Sequence, residues 1–242
     1  MRVLIVSDIH ANLIAFETVL AHAKGKWDLI WCLGDVVGYG PDPNECIDLL
    51  REQDHLGLSG NHDWAVIGRL DIFSFNADAR AAISWTQGIL TDENRKYLEE
   101  LPSKVIEEPF TLAHASPRHP VWEYILDQNT AAANFPCFST PYCLVGHTHS
   151  PIIFEEIGKD EALARLPAYG QALNLNDSRL IINPGSVGQP RDSDPRAAYM
   201  ILDTEKMTWE HFRVEYDIPA VQERMRTYGL PYRLIVRLEY GW

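Results

Sequence analysis

The chain has 242 residues, 46% of them hydrophobic and 23% charged, with a formal net charge of −13. That length buries a sizeable core without disulfide staples. The acidic balance excludes a general binder of nucleic-acid backbones, although cations held in a cleft would reverse the field locally. The four cysteines, Cys32, Cys46, Cys137 and Cys143, form no Cys-x-x-Cys pair, and Cys32 and Cys143 read as small core residues inside apolar runs. The opening stretch has one Arg2 and an apolar run that stops at Asp8. It is neither a signal peptide nor a membrane span, so the cytoplasm is the expected compartment.

Val3-Leu4-Ile5-Val6 reads as a buried parallel strand. It closes in Asp8 and His10, and extended backbone would aim both side chains to one side. The segment Ala11–Lys24 carries Leu13, Phe16, Val19 and Leu20 at helical spacing, with Asn12 as a cap and Gly25 as the stop. Asp28–Leu33 is a second buried strand closing in Gly34-Asp35. The loop Gly38–Pro43 is rich in turn residues, a helix follows over Asn44–Gln53, and His55–Ser59 leads into Gly60-Asn61-His62-Asp63. This β-α-β-α-β opening predicts a parallel sheet with helices on its faces.

From Asp63 to Glu100 the character is helical. Ala77–Leu90 is one helix, and Thr91–Asn94 caps another over Arg95–Leu101, stopped by Pro102. Phe110–Ala113 is a strand ending at His114, and Tyr142–Val145 is a strand ending at Gly146-His147-Thr148-His149. Ile152–Ile157 and Leu180–Ile182 read as strands with a loop or hairpin between them, the second leading into Asn183-Pro184-Gly185-Ser186. Ala198–Leu202 and Trp209–Glu215 form an antiparallel hairpin. Ile218–Tyr228 is a helix ending at Gly229, and the spacing of Pro231–Trp242 allows helix or strand. Trp27, Trp31, Trp85 and Trp209 read as core or surface aromatics. No repeat or linker interrupts residues 1–242, which read as one domain.

A single Asp-x-His is as easily a polar turn as a site. Here, however, five separate apolar strands each end in a side chain that binds divalent metals: Asp8 and His10, Asp35, Asn61 and His62, His114, and His147 and His149. Ligands converging at the carboxyl ends of strands are where open α/β sheets place their sites. Mixed nitrogen and oxygen donors suit Mn, Fe, Zn, Co or Ni better than Mg or Ca.

The series Asp8-x-His10, Gly34-Asp35, Gly60-Asn61-His62-Asp63, His114 and Gly146-His147-x-His149 resembles the calcineurin-like metallophosphoesterases, in particular their small bacterial phosphodiesterase branch. The likeness spans Met1 to about Asp192, and the Asn183-Pro184-Gly185-Ser186 block also occurs in that branch. The resemblance implies an α/β fold of four layers, α/β/β/α, with two mixed sheets flanked by helices. It implies two divalent ions per chain, manganese being the expected metal. Asp8, His10 and His149 would hold one ion, Asn61, His114 and His147 the other, and Asp35 would bridge both. His62 would be the general acid, and a metal-bridging hydroxide the nucleophile. Asp63, the neighbour of His62, is taken as a catalytic residue, and it or another carboxylate would raise the pKa of the imidazole by favouring its charged form.

Candidate substrate contacts are Arg118 and Arg191, whose guanidinium forks match phosphate, and Tyr39, which could stack on an aromatic leaving group. For each arginine the plain alternative is an ion pair, and for Tyr39 it is core or lid packing. The expected partner is a small phosphoester, a nucleotide included, with no membrane and no general nucleic-acid binding. The composition does not give an oligomeric state. A phosphomonoesterase or serine/threonine-type protein phosphatase is the alternative within the same chemistry, and a metal-binding scaffold without turnover is the alternative outside it.

Overall fold

A computed structural model describes residues 1–175 and 178–242. In chain order its elements are β1 (Arg2–Val6), α1 (Leu13–His22), β2 (Leu29–Cys32), α2 (Pro43–Arg51), β3 (His55–Gly57), α3 (Asn61–Val66), α4 (Ala77–Ile89), α5 (Asp92–Glu100), β4 (Lys104–Glu107), β5 (Phe110–Ala113) and α6 (Gln128–Asn134). They continue with β6 (Tyr142–Leu144), β7 (Ile152–Gly158), β8 (Glu161–Arg165), β9 (Leu173–Asn174), β10 (Leu180–Asn183), β11 (Ala197–Asp203), β12 (Thr208–Val214), α7 (Ile218–Thr227) and α8 (Tyr232–Tyr240).

Two six-stranded mixed sheets stack face to face, one ordered β3-β2-β1-β11-β12-β9 and the other β4-β5-β6-β10-β7-β8. In the first sheet β1, β2 and β3 run parallel, while β11 pairs antiparallel with β1. In the second, β5, β6 and β10 run parallel, and β7 closes antiparallel on β10. Side chains alternate across each strand. Val3, Ile5, Trp31, Leu112, Leu144 and Trp209 fill the layer between the sheets. Leu4, Val6, Ile30 and Cys32 face Phe16, Val19 and Ile47 of the covering helices. On the far side, Cys143, Phe154 and Ile181 pack against Ala131 and Phe135. These are the four layers that the resemblance implied. Among the described residues no helix is long and apolar enough to cross a membrane.

The ambiguous tail is helical. Leu234, Ile235 and Leu238 of α8 pack with Val221 and Met225 of α7, Ala79 and Ala82 of α4, and Tyr39. The capping predictions survive with shifted bounds: Asn12 Oδ1 accepts from Ala15 N at 3.1 Å, and Thr91 caps a helix that begins at Asp92 rather than Arg95. The sequence reading missed β4, an edge strand half open to solvent, and α6, too short to show a period. Ile152–Ile157 falls in β7 and Leu180–Ile182 in β10; between them the chain turns back as β8, antiparallel to β7, and then forms β9; Asn176 and Asp177 of that connection lie outside the described residues.

Candidate metal centre

Because β1, β2 and β3 are parallel within one sheet and β5 and β6 within the other, their carboxyl ends empty onto one edge of the sandwich. Backbone bonds tie the loops there together. Asp8 N donates to Gly34 O at 3.0 Å, His10 N to Asp35 O at 2.9 Å, and Gly146 N to His114 O at 2.7 Å. The expected extended geometry of Asp8-Ile9-His10 is corrected by the structure. β1 ends at Val6, and Asp8 and His10 take left-handed backbone, φ 53° and 49°. Asp35, His147 and His149 do the same, at 52°, 64° and 58°. Asp and His tolerate this region better than branched residues. Strain of this kind gathers where surrounding contacts over-determine the chain.

All seven residues predicted to hold metal, together with His62, are buried. Three groups of side chains place ligand atoms within 4.8 Å of one another: Asp8 with His10 and His149, His10 with Asp35 and His62, and Asp35 with His114 and His147. Asn61 joins the last group, its Oδ1 lying 3.2 Å from His114 Nε2.

Five of the seven are aimed by a second polar atom. His10 Nδ1–H donates to Val37 O at 3.1 Å, His149 Nδ1–H to Gln189 O at 2.6 Å, and His114 Nδ1–H to Leu33 O at 2.9 Å. Such bonds fix the tautomer and turn the Nε2 lone pair inward. Asp8 Oδ2 accepts from Ser7 Oγ at 2.6 Å and from His147 N at 3.1 Å. Asp35 Oδ1 accepts from His62 N at 2.8 Å. The remaining oxygens, Asp8 Oδ1 and Asp35 Oδ2, are buried without a hydrogen-bond partner, as is His147 Nε2. Buried acceptors left bare in this way are strongly unfavourable unless a cation meets them.

The electrostatics agree. Burial pushes the Asp8 carboxyl up to about 6, with His114 opposing and Asp35 adding to the rise. Burial would raise Asp35 too, but His114, His62 and His10 outweigh it and hold the carboxyl well below the usual range. Burial lowers His10, His147 and His149, which keeps their nitrogens free to ligate. Burial also acts to lower His114, but Asp35 overrides it and lifts the imidazole to about 9. In the bare polypeptide a proton thus compensates Asp35 where a divalent cation would do so with twice the charge. On donor type, tautomer and bare acceptors, the site fits divalent metal ions.

Asp63 is a correction. Its Oδ2 accepts from Asp35 N and Gly60 N, both at 2.8 Å, and its Oδ1 from Val37 N at 3.1 Å. It therefore knits the loops after β2 and β3 and does not face His62. The reason is helical: both residues lie in the first turn of α3, where adjacent positions point in different directions. His62 is accordingly not raised but lowered to about 4, by burial first, with Asp35 opposing and Arg191 adding to the fall.

Arg118 is turned away, in an ion pair with Glu123. Tyr39 packs its ring against His10 (4.6 Å between centroids) and His62 (4.3 Å), and is too buried to stack on a substrate. Arg191 lies at the site, its guanidinium 5.6 Å from the Tyr39 ring centre. Several participants had no sequence signal. Tyr124 stacks on His147 at 3.8 Å, Phe75 meets His62 edge-on at 5.1 Å, and Trp122 packs on Phe75. The Asn183–Ser186 block, which carried no role on its own residues, is a brace. Asn183 Nδ2 donates to Gly146 O at 2.7 Å, and Ser186 Oγ to Asp8 O at 2.8 Å.

Two stacked mixed sheets, with carboxylates and imidazoles of both meeting at one edge, define an α/β sandwich of the metallophosphoesterase kind. The chain belongs to the calcineurin-like phosphoesterase superfamily, whose domain model matches residues 1–207. It is 39% identical over 245 residues to the uncharacterized protein MJ0912 of Methanocaldococcus jannaschii, covering 98% of this chain and 97% of that protein. The crystal structure of a metallophosphoesterase from Sphaerobacter thermophilus matches with a TM-score of 0.91 and 49% identity, over 100% of this chain and 99% of the other. The hypothetical protein PH1004 of Pyrococcus horikoshii shares the fold, with a TM-score of 0.81 at 21% identity over 100% and 98% of the two chains.

Proposed function

We propose that the protein is a phosphodiesterase acting on small phosphoesters, with two divalent ions, manganese foremost, and His62 as general acid. One observation carries this reading. Asp35 Oδ2 lies 3.6 Å from His10 Nε2 and 3.4 Å from His114 Nε2, so one bare oxygen stands between the two ligand groups. A carboxylate so placed suits a bridge between paired cations. Asp8, His10 and His149 would hold one ion, and Asn61, His114 and His147 would hold the other. When bound, such ions supply positive charge to the phosphoryl oxygens and acidify a water.

The chain's own residues do the rest. His62, held between Tyr39, His10 and Phe75, is set to give its proton to the leaving oxygen. Asp35, which opposes the fall of the His62 pKa, and the anionic phosphoester favour the charged ring; Asp63 does not. Arg191 offers its fork of donors to a phosphate of the substrate. Trp122 and Tyr124, 41% and 45% exposed, offer a planar leaving group an aromatic face that buried Tyr39 cannot.

The test is hydrolysis of bis- and mono-(p-nitrophenyl) phosphate by protein reconstituted with Mn, Fe, Zn, Co or Ni. The diester should be turned over faster, and fastest with Mn. Preference for the monoester would replace the diesterase reading with a phosphomonoesterase. No turnover with any metal would leave a metal-binding scaffold.

A further inference from the structure

Arg237 stands on α8, in the tail whose sequence allowed helix or strand. With α8 packed on Tyr39 and α4, its guanidinium sits beside Gln189, whose backbone carbonyl accepts from His149. Its Nη1 donates to Gln189 Oε1 at 3.3 Å, and its Nε donates to the Trp242 carbonyl. The same Gln189 oxygen accepts from Arg191 Nη2 at 2.8 Å. Two guanidiniums therefore share one neutral acceptor.

Among the described residues, neither has a side-chain carboxylate within 4.0 Å, whereas Arg118, Arg179, Arg196, Arg213 and Arg224 each find one. Arg191 Nε and Gln189 Nε2 are buried donors without an acceptor. Two like charges close together, with Arg191 Nε and Gln189 Nε2 left over as buried donors, suit an added acceptor. Burial, with Arg191 adding to it, pushes the Arg237 guanidinium down to about 10. The pair lies one side-chain layer from the ligands: Arg191 is over Tyr39, whose ring touches those of His10 and His62, and Arg191 N donates to His149 O at 3.2 Å. Behind Arg237 opens a cavity of about 380 Å³, lined by Asn76, Asp78, Arg233 and half-exposed Trp242.

We propose that Arg191 and Arg237 form a second anion subsite, which takes a phosphate group of the substrate other than the one at the metal centre. The preferred substrate then carries at least two phosphates, as a nucleoside bisphosphate or polyphosphate ester does, and its remainder extends along the α8 cavity. Paired guanidiniums suit such a dianion because each offers a fork of donors to its oxygens. The inference rests on the phosphoesterase reading of the metal centre.

Two measurements test it. In the first, the metal-free full chain is titrated calorimetrically with inorganic pyrophosphate. Arg237→Gln and Arg191→Gln should each weaken binding at least 10-fold, and Arg226→Gln, on the exposed face of α7, should not. Equal affinity in wild type and Arg237→Gln overturns the subsite. In the second, the manganese-loaded chain is given thymidine 5′-(p-nitrophenyl phosphate) and the same ester bearing a 3′-phosphate. Wild type should prefer the 3′-phosphorylated ester at least 10-fold in kcat/KM, and Arg237→Gln should bring that ratio near one. A wild type without the preference, or a variant that keeps it, contradicts the proposal. If circular dichroism shows Arg237→Gln unfolded, Arg237→Lys is read instead: it keeps the charge, loses the fork, and should lose part of the preference. No turnover of either ester defeats the phosphodiesterase reading, and the pyrophosphate titration then decides the subsite alone.

Discussion

His10 Nε2 and His149 Nε2 lie 3.0 Å apart, although each ring already spends its Nδ1 proton on a backbone carbonyl. Burial lowers both imidazoles, so both are neutral at pH 7. Two lone pairs thus face each other across hydrogen-bond distance, with Asp8 Oδ1 3.3 Å from His149 Nε2. Three electron-rich atoms in a buried pocket repel unless something positive sits among them. Such a pocket fits a divalent cation.

His62→Ala should lower kcat for a phosphodiester by roughly 10²–10⁴-fold, the usual contribution of a positioned acid, while metal content stays at the wild-type level. Elemental analysis beside steady-state kinetics checks this. Loss of metal in the variant would instead make His62 a ligand.

Asp63→Asn should act on stability rather than on the acid. The carboxylate accepts from three backbone amides, and the substituted amide can serve only some of them. Leaving a buried donor unmet destabilises by about 1–3 kcal/mol. Denaturant unfolding should show this loss together with weaker metal binding. A shifted pH profile of kcat at unchanged stability would restore Asp63 to the role that its sequence position suggested.

Gly146→Ala should disrupt the site from outside the ligand set. A methyl group there would overlap the Ser7 hydroxyl and approach Asp8 Oδ2 at 2.8 Å, the two groups whose hydrogen bond aims Asp8. Overpacking of this kind destabilises by about 1–3 kcal/mol. Metal affinity, followed by titration, should fall with it. An alanine variant that binds metal as well as wild type would show that the aim of Asp8 is unimportant.

His211 gives the fold a pH dependence away from the site. It is buried, its Nε2–H donates to Pro184 O at 2.8 Å, and its Nδ1 has no partner. Burial, with Arg213 adding to it and the Pro184 bond and Asp194 opposing, lowers its pKa to about 4. The unfolded chain takes up this proton near pH 6.5, before the folded one does. Stability is therefore complete above 6.5, falls as pH drops toward 4, and the full effect is about 3 kcal/mol. His211→Gln should remove about 2 kcal/mol of the decline between pH 7 and pH 5 in denaturant melts. An unchanged decline would assign it to other groups.

Much of this was legible because the site is written at the ends of apolar runs. Asp8, Asp35, Asn61, His114, His147 and His149 each follow a strand that composition alone marks as buried. The parallel order of those strands brings the side chains to one edge. What could not be read was orientation. Left-handed backbone at Asp8 and His10 replaces the extended geometry that their spacing suggested, because turn conformation depends on partners from other strands. The His62–Asp63 neighbourhood misled because adjacency in sequence became divergence on a helix. Arg237 was invisible for a third reason. Its meaning lies in Gln189 and Arg191, more than forty residues away, and Leu234, Ile235 and Leu238 fit a strand as readily as a helix until α7 and α4 are in place.

Anomalous scattering from crystals soaked in manganese measures the central claim most directly. Two peaks, roughly 3.5–4 Å apart, should flank Asp35 Oδ2, one among Asp8, His10 and His149 and the other among Asn61, His114 and His147. No peak at that edge of the sandwich, with the two imidazole nitrogens still 3.0 Å apart, would contradict the account.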